Sequence, residues 1–531
     1  MLPAFGLFPA LGGTTLTLQP WRILLSHPGL FASITLTLTG GFAATALSLL
    51  AVATFCAAFH TSRGFRVAQA LIAPLLAAPH VALALGFLAF ASPSGILMRL
   101  LAQPFAWRSP PDIATVNDTM GISLIVGLVL KETPFLLLMA IAALNQIPSH
   151  ALMAAARALG QPAPIAWLKA VFPLVHRQLR LPILAVLAYA LSAVDVALLL
   201  GPDSPPTLSV LVVRWFFDPD LAQLLPAAAA ATLLLALTFA AILAWLLAER
   251  LVAQVGRNWA ASGRSGGSML VKISGLLLPA LLGIALASLL AAAVWSVAGP
   301  WRFPDPLPAS VDLRTWSAQA SGLAGPLRTT VLTGLASTAS AILIAVAALE
   351  AVARHGAAAR PGLLALIIVP LLVPQAGFLF GMQVTLLGLG ADGGWFALIW
   401  THLIFVLPYV LLSLRAPFAA FDPRLLQTAA CLGASPTRVL FTVKLPILLR
   451  PLLAASAIGI AVSAGQYLAT LFAGGGRLAS LATEAVTLAS GGDRRVLGVF
   501  ATLQSGLPLL FYAIALALPG IIWRHRAGLR P

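Results

Sequence analysis

Three ionisable residues lie inside long apolar runs of this chain, where they could contact a charged solute: Lys131, Glu132 and Asp195. A charge at the centre of a membrane helix costs about 2.5–3.5 kcal/mol by insertion scales, so it usually faces a cavity or a partner. Asp195 lies toward one end of its run, and its counterpart in an internal repeat, Gln466, is also polar. We expect both to line a transport pathway; the alternative is a hydrogen bond between helices that holds the bundle together.

The other two charges precede a proline in the same apolar run. Lys131 and Glu132 come shortly before Pro134, and the repeat places Pro408 at the matching position. A proline inside a helix frees a carbonyl group, which the charges could satisfy if they do not satisfy each other. We expect Lys131, Glu132, Pro134 and Pro408 to support a hinge or local packing rather than to bind substrate.

Patterns of catalytic and metal-binding sites are missing from the sequence. There is no Gly-x-x-x-x-Gly-Lys-Ser/Thr loop, so the chain is not expected to hydrolyse ATP by that route. His-Glu-x-x-His and Cys-x-x-Cys are also absent, and the eight histidines lack metal-ligand spacing. We therefore predict no catalytic residue, metal or cofactor on this chain, and an energy source on a separate subunit.

Composition indicates a polytopic membrane protein made of helices. Of 531 residues, 60% are hydrophobic and only 9% are charged, whereas soluble domains are about 25% charged. Apolar runs of about 20 residues recur without two-residue alternation, which favours helices over a membrane β-barrel. The predicted spans are 32–59, 68–93, 119–145, 181–200, 224–247, 274–296, 329–353, 362–388, 394–414, 451–472 and 499–523.

The net charge of +16 is explained by membrane topology and needs no nucleic acid. Most of the 31 Lys and Arg residues fall in loops on one side of the predicted bilayer, where acidic residues are few. Such an excess marks the cytoplasmic side of a bacterial inner-membrane protein. We expect a multi-pass protein in the lipid bilayer of that membrane.

One segment occurs twice, on the side predicted to be cytoplasmic. We call the copies the first repeat segment (149–176) and the second repeat segment (422–446). In each, a proline follows a glycine at a distance of 13 positions along the chain. The matched residues are Ala154, Ala155, Ala156, Gly160 and Pro173 in the first segment and Gln427, Thr428, Ala429, Gly433 and Pro446 in the second.

Each repeat segment predicts a short helix, a glycine break and a second helix. Asp422 precedes Pro423, a favoured helix start, and Gly433 suits a left-handed helix end. Ser149 is the expected cap of the first segment. Small residues beside a bend allow a soluble partner to pack closely, so two segments predict two copies of that partner.

These segments resemble the EAA motif of permease subunits of binding-protein-dependent ABC importers. The motif reads Glu-Ala-Ala, three residues, Gly, and a later hydrophobic-Pro; this chain departs from it at Ala154, Gln427 and Thr428. The resemblance implies that both segments are coupling helices for two copies of an ABC ATPase, with a periplasmic binding protein delivering the solute. The fused double form is similar to the ferric-iron, thiamine and putrescine class, and 471–477 with 491–495 is similar to its thiamine-like members.

The repeat predicts two tandem permease domains of five and six helices. The predicted units are an outer-face segment (1–28), a first domain (29–255), a flexible cytoplasmic linker (256–272) and a second domain (273–531). The first half has no counterpart of span 274–296, a helix either lost or left out by a misplaced start codon.

Two other functions predict different residues. A secondary transporter driven by an ion gradient should carry more charges near the membrane centre, and would leave the repeat segments unexplained. A membrane enzyme should show a cluster of His, Asp or Glu at the interface. The sequence leaves the substrate open among a thiamine-like cation, ferric iron and a polyamine.

Overall fold

The computed structural model describes residues 2–9, 13–355, 367, 369–370 and 373–524. This part of the chain is helical, and its only extended pairings are two isolated bridges, Phe8 with Gly13 and Ala298 with Val311. The predicted all-α membrane architecture is confirmed.

The first half contains the helices α1 (Gln19–Leu25), α2 (Leu30–Phe59), α3 (Arg63–Ala77), α4 (His80–Ala91), α5 (Ile96–Ala102), α6 (Ile122–Leu144), α7 (Ser149–Ala158), α8 (Ala163–Ala166), α9 (Phe172–Ser192), α10 (Asp195–Leu200), α11 (Leu208–Phe216) and α12 (Leu224–Ala261). The second half contains α13 (Ser268–Gly275), α14 (Leu277–Val297), α15 (Arg314–His355), α16 (Gln375–Gly388), α17 (Trp395–Ala419), α18 (Pro423–Cys431), α19 (Pro436–Val439), α20 (Leu445–Ile447), α21 (Leu449–Ala464), α22 (Tyr467–Gly474), α23 (Leu481–Ala489) and α24 (Arg494–Ile522).

Among the described residues, nine helices are long and apolar enough to cross a membrane. A tenth span is possible if Pro436–Ile447 and Leu449–Ala464, bent by 75°, count as one. Five of the nine lie between Leu30 and Ala261, the number predicted for the first half. The predicted span 362–388 lies partly outside the described residues, which show only α16 there.

Two predicted spans are wrong as continuous helices, and they break at equivalent places. In 181–200, α9 ends at Ser192 and α10 begins at Asp195; in 451–472, α21 ends at Ala464 and α22 begins at Tyr467. Ala193 is extended, with φ −60° and ψ 127°, and Gln466 leaves the helix with ψ 80°. Because the Ser209 hydroxyl donates to the Ala193 carbonyl at 2.8 Å, the first break keeps that group satisfied inside the membrane.

The predicted span 68–93 is also divided, because the chain turns at Pro79 between α3 and α4. Pro79 is extended, with φ −61° and ψ 156°, which ends α3 at Ala77 and starts α4 at His80. A proline fixes its own φ and disfavours helix in the residue before it. The membrane span therefore begins at His80.

The predicted flexible linker is largely helical. Of residues 256–272, α12 takes those up to Ala261 and α13 takes those from Ser268, which leaves 262–267 between helices. The Lys169 ammonium donates to the carbonyls of Ser262 and Arg264 at 2.8 and 2.7 Å. The linker is thus fastened to the first repeat segment.

The two halves share one core. Helix α14 packs against α4 of the first half and against α24, and a Cβ on Gly86 would collide with the Ser288 carbonyl. The first half shows no counterpart of α14 among its described residues. On the matching helix of the second half, a Cβ on Gly381 would meet nothing within 4 Å, and that glycine faces an apolar groove of about 590 Å³ beside α12.

Candidate functional site

The two repeat segments have the same backbone path. Each consists of a helix, a glycine with positive φ, a four-residue helix and a π-helical turn. The proline that follows, Pro173 or Pro446, is 13 positions after the glycine. These parts are α7, Gly160 (φ 80°), α8 and Trp167–Val171 in the first segment, and α18, Gly433 (φ 76°), α19 and Leu440–Lys444 in the second. Because π-helical turns are rare, finding one at the same place in both copies shows that the repeat extends to unusual local geometry.

The caps differ between the segments. The Asp422 carboxylate accepts from the Arg424 amide at 2.9 Å, and the Ser435 hydroxyl accepts from the Arg438 amide at 3.3 Å, so α18 and α19 have side-chain caps. The predicted Ser149 cap is wrong: Ser149 is the first helical residue and Pro148 takes the cap position without a side-chain bond. A side chain caps a helix only from the residue before it, so one step along the chain removes the interaction.

The predicted coupling residues lie on the surface. Ala154, Ala155, Pro173, Gln427, Thr428, Gly160 and Gly433 are exposed, whereas Ala156, Ala429 and Pro446 are half-buried. A Cβ on Gly160 or on Gly433 would meet nothing within 4 Å. These glycines are therefore required by their left-handed backbone and not by internal crowding, and the outer side of each bend is open.

Two leucines that we did not single out are the most exposed apolar residues of these bends. Leu159 and Leu432 stand immediately before the glycines, and each is 83% exposed. Exposed apolar side chains at the same place in both bends offer a surface that a partner could cover. The signal was present in the sequence, since a leucine precedes the glycine in both copies.

Asp195 and Gln466 lie at the two helix breaks and are 9% and 8% exposed. The Asp195 carboxylate accepts from the Tyr189 hydroxyl at 3.3 Å and from the Val196 amide at 2.9 Å. A Cβ on Gly465, next to Gln466, would lie 3.7 Å from Pro79 of the first half, and the ring of the following residue, His80, lies 4.6 Å from that of Tyr189. The structure therefore brings the two predicted pathway positions to a common region between the halves.

Lys131 and Glu132 are both buried and take different partners instead of pairing with each other. The Lys131 ammonium donates to the carbonyls of Leu75, Leu76 and Ala78, the last turn of α3 and the residue after it. Glu132 lies 3.5 Å from the His80 ring, at the start of α4. Lys131 thus satisfies backbone carbonyls at the break at Pro79, and Glu132 contacts a side chain on the other side of that break. The sequence predicts such freed backbone groups at Pro134 instead.

Pro134 and Pro408 are buried inside α6 and α17, which continue through them. The role of these prolines as hinges stays a prediction.

Known proteins show what kind of molecule carries these segments. No family model matches the chain. Over 523 residues the chain is 32% identical to the inner membrane ABC transporter permease protein YnjC of Escherichia coli strain K12, and the alignment covers 97% of this chain and 93% of that protein. The chain belongs to the inner-membrane ABC transporter permeases. This permease is a multi-pass transporter subunit, and its class implies an ATPase partner.

A second similarity is shorter. The permease is 28% identical over 111 residues to the spermidine/putrescine transport system permease protein PotC of the same organism, which covers 21% of this chain and 42% of that protein. A PotC of Shigella flexneri matches to the same extent.

Proposed function

We propose that this permease forms the membrane pathway of an importer in which two ATPase subunits dock, one on each repeat segment. The observation that carries the proposal is the matched pair Leu159 and Leu432, each 83% exposed beside a left-handed glycine. Equal exposure at equivalent bends predicts two equivalent apolar contacts. One ATPase copy would cover each leucine.

A periplasmic binding protein would deliver the solute to the outer face, and ATP binding would close the two ATPase copies on each other. That closure would draw the repeat segments together and change which side of the membrane the pathway faces. Nucleotide can shift this equilibrium only through contacts that differ between the two states. The contacts in question are those at the coupling residues, including Ala154, Gly160, Gln427 and Gly433.

The pathway would pass the helix breaks at Asp195 and Gln466. A carboxylate 9% exposed, with Tyr189 near it, favours a cationic solute over an anionic one. Because both permease domains are fused in one chain, as in the class described above, the candidate solutes are a thiamine-like cation, ferric iron and a polyamine.

The docking proposal is tested by introducing a charge at the leucines. The permease would be expressed in its host, and the ATPase that copurifies with the wild-type chain would be quantified for Leu159→Glu, Leu432→Glu and the double variant. We expect the double variant to lose the ATPase, because a carboxylate cannot be buried in an apolar contact without a partner. Native mass spectrometry of the wild-type complex should show two ATPase copies.

Leu159→Met and Leu432→Met are the matched controls, because they keep apolar area and should retain the ATPase. Undiminished copurification with the Glu double variant would refute docking at these bends. A single ATPase copy in the wild-type complex would refute the assignment of one copy to each segment.

A further inference from the structure

A charged cluster around the buried residue Lys444 joins the second repeat segment to a membrane helix. Lys444, the last residue of the second π-helical turn, is 2% exposed. Its ammonium donates to Glu350 Oε2 of α15 at 2.8 Å and lies 4.8 Å from the ring centre of Phe418 and 5.6 Å from that of Phe421. An ammonium with so little exposure depends on its carboxylate, because water does not reach it.

The same carboxylate makes a second connection to the segment. Arg354, one turn further along α15, donates from Nε to Glu350 Oε1 at 2.8 Å and from Nη2 to the Pro436 carbonyl at 3.1 Å. Pro436 is the first residue of α19. Glu350 is therefore linked directly to the π-helical turn and, through Arg354, to the helix before it.

The first half has an apolar contact where the second has this cluster. By the spacing of the repeat, the counterparts of Glu350, Arg354 and Lys444 are Cys56, His60 and Val171. Cys56 and Val171 are completely buried. The charged cluster is thus a feature of the second half, at a place where the first half uses packing.

Packing cannot hold the second segment in the same way, because little of it is buried. Helix α18 buries no residue, and none of residues 422–444 belongs to a hydrophobic core cluster of the described chain. In the first segment, Met153, Trp167 and Val171 all belong to the main core. Leu445, at the end of the second segment, packs against a core cluster that includes Phe418 and Leu448. The charged cluster connects the preceding residues, 422–444, to α15.

We propose that Glu350 is a positioning residue for coupling, which with Lys444 and Arg354 makes the second repeat segment and α15 move as one body. When an ATPase copy displaces the segment, the displacement reaches α15 through the two hydrogen-bonded connections. This inference rests on the proposed docking of an ATPase at that segment, and goes beyond it by naming the path of the motion into the membrane.

The test measures the distance between the segment and α15 in two nucleotide states. Spin labels would be attached at Thr442→Cys in the π-helical turn and at Leu343→Cys, which is 70% exposed on α15, in a Cys431→Ser background. Cys56 is buried and should stay unlabelled. The permease–ATPase complex would be compared without nucleotide and with ATP and vanadate, by pulsed electron paramagnetic resonance.

With native Glu350 and Lys444, we expect the same label distance in both states. In the double variant Glu350→Gln, Lys444→Met, which removes both charges and leaves neither unpaired, the distance should shift between the states. Lys444→Met alone tests the same link if it folds. A purely structural cluster would lower thermal stability on substitution and leave the distance independent of nucleotide, which would overturn the proposal.

The matched control is the ion pair of the first half that joins α9 to α12, Arg180 with Glu249 at 2.9 Å. Arg180→Met with Glu249→Gln removes the same kinds of charge and should leave the label distance unchanged in both states. Copurification of the ATPase is recorded for every variant. Loss of the ATPase from the labelled wild-type complex would contradict the proposed docking, whereas retained ATPase with an unchanged distance in the double variant contradicts this inference alone.

Discussion

The first repeat segment is held in place by buried apolar side chains, and the second by a half-buried carboxylate with two cations. Trp167 of the first π-helical turn is 1% exposed, whereas its counterpart Leu440 is half-buried and the neighbouring Phe441 is 63% exposed. Yet the two backbones share their helices, left-handed glycines and π-helical turns. The outward surface has therefore been kept alike while the inward attachment has diverged.

This difference indicates that the shape of the outward surface is constrained, whereas the contacts behind it are not. A surface that meets identical partner copies must keep its shape in both halves, but any contact that fixes that shape is sufficient behind it. Packing is insensitive to salt, whereas an ion pair at 13% exposure of its carboxylate is partly screened. The two attachments should therefore respond differently to substitution.

The largest expected effect is on the packed side. Trp167→Ala should destabilise the protein by about 3–5 kcal/mol, because it removes a fully buried aromatic side chain and leaves a cavity. Thermal unfolding in detergent would measure the loss. Phe441→Ala, on the exposed side, should change stability by less than about 0.5 kcal/mol; equal losses would show that the two turns are attached alike.

A smaller effect should be the same in both segments. Gly160→Val and Gly433→Val each force a β-branched residue to positive φ, at a cost of about 1–2 kcal/mol, and should distort the bend. ATPase copurification and ATP-dependent uptake should fall while membrane insertion is retained. Asn tolerates this backbone, so Gly160→Asn and Gly433→Asn are the controls. Normal uptake with both valines in place would show that the bends do not couple.

The smallest expected effect should again differ between the two segments. Asp422→Ala removes a helix cap and should cost about 1 kcal/mol. Amide hydrogen exchange in α18 should become faster as a result. Ser149→Ala should leave exchange in α7 unchanged, since Ser149 makes no capping bond; faster exchange there would mean that Ser149 does act as a cap.

The sequence predicted well the features that depend on local pattern. The glycine bends and the Asp422 cap follow from residue types at fixed spacing, and the apolar runs locate the membrane helices because their length matches the bilayer. The breaks after Ser192 and Ala464 were missed. Apolar flanks continue through both, and the first break carries neither glycine nor proline to mark it.

The partners of buried charges could not be read from the sequence, because they lie far along the chain. Lys131 donates to the end of α3, more than 50 residues earlier, and Lys444 to Glu350, 94 residues earlier. Local reasoning left two partners open for Lys131, its neighbour Glu132 or the backbone freed by Pro134. Leu159 and Leu432 can be found in the sequence as a repeated residue, but their exposure becomes known only once the bends are built.

The short connection between α12 and α13 limits how far the halves can separate. Residues 262–267 join Ala261 to Ser268, seven steps along the chain, which span at most about 25 Å when fully extended. Whatever rotation the halves make, the end of α12 must stay within that radius of the start of α13. The connection acts as a tether of fixed maximum length, so the halves can pivot around it but cannot drift apart.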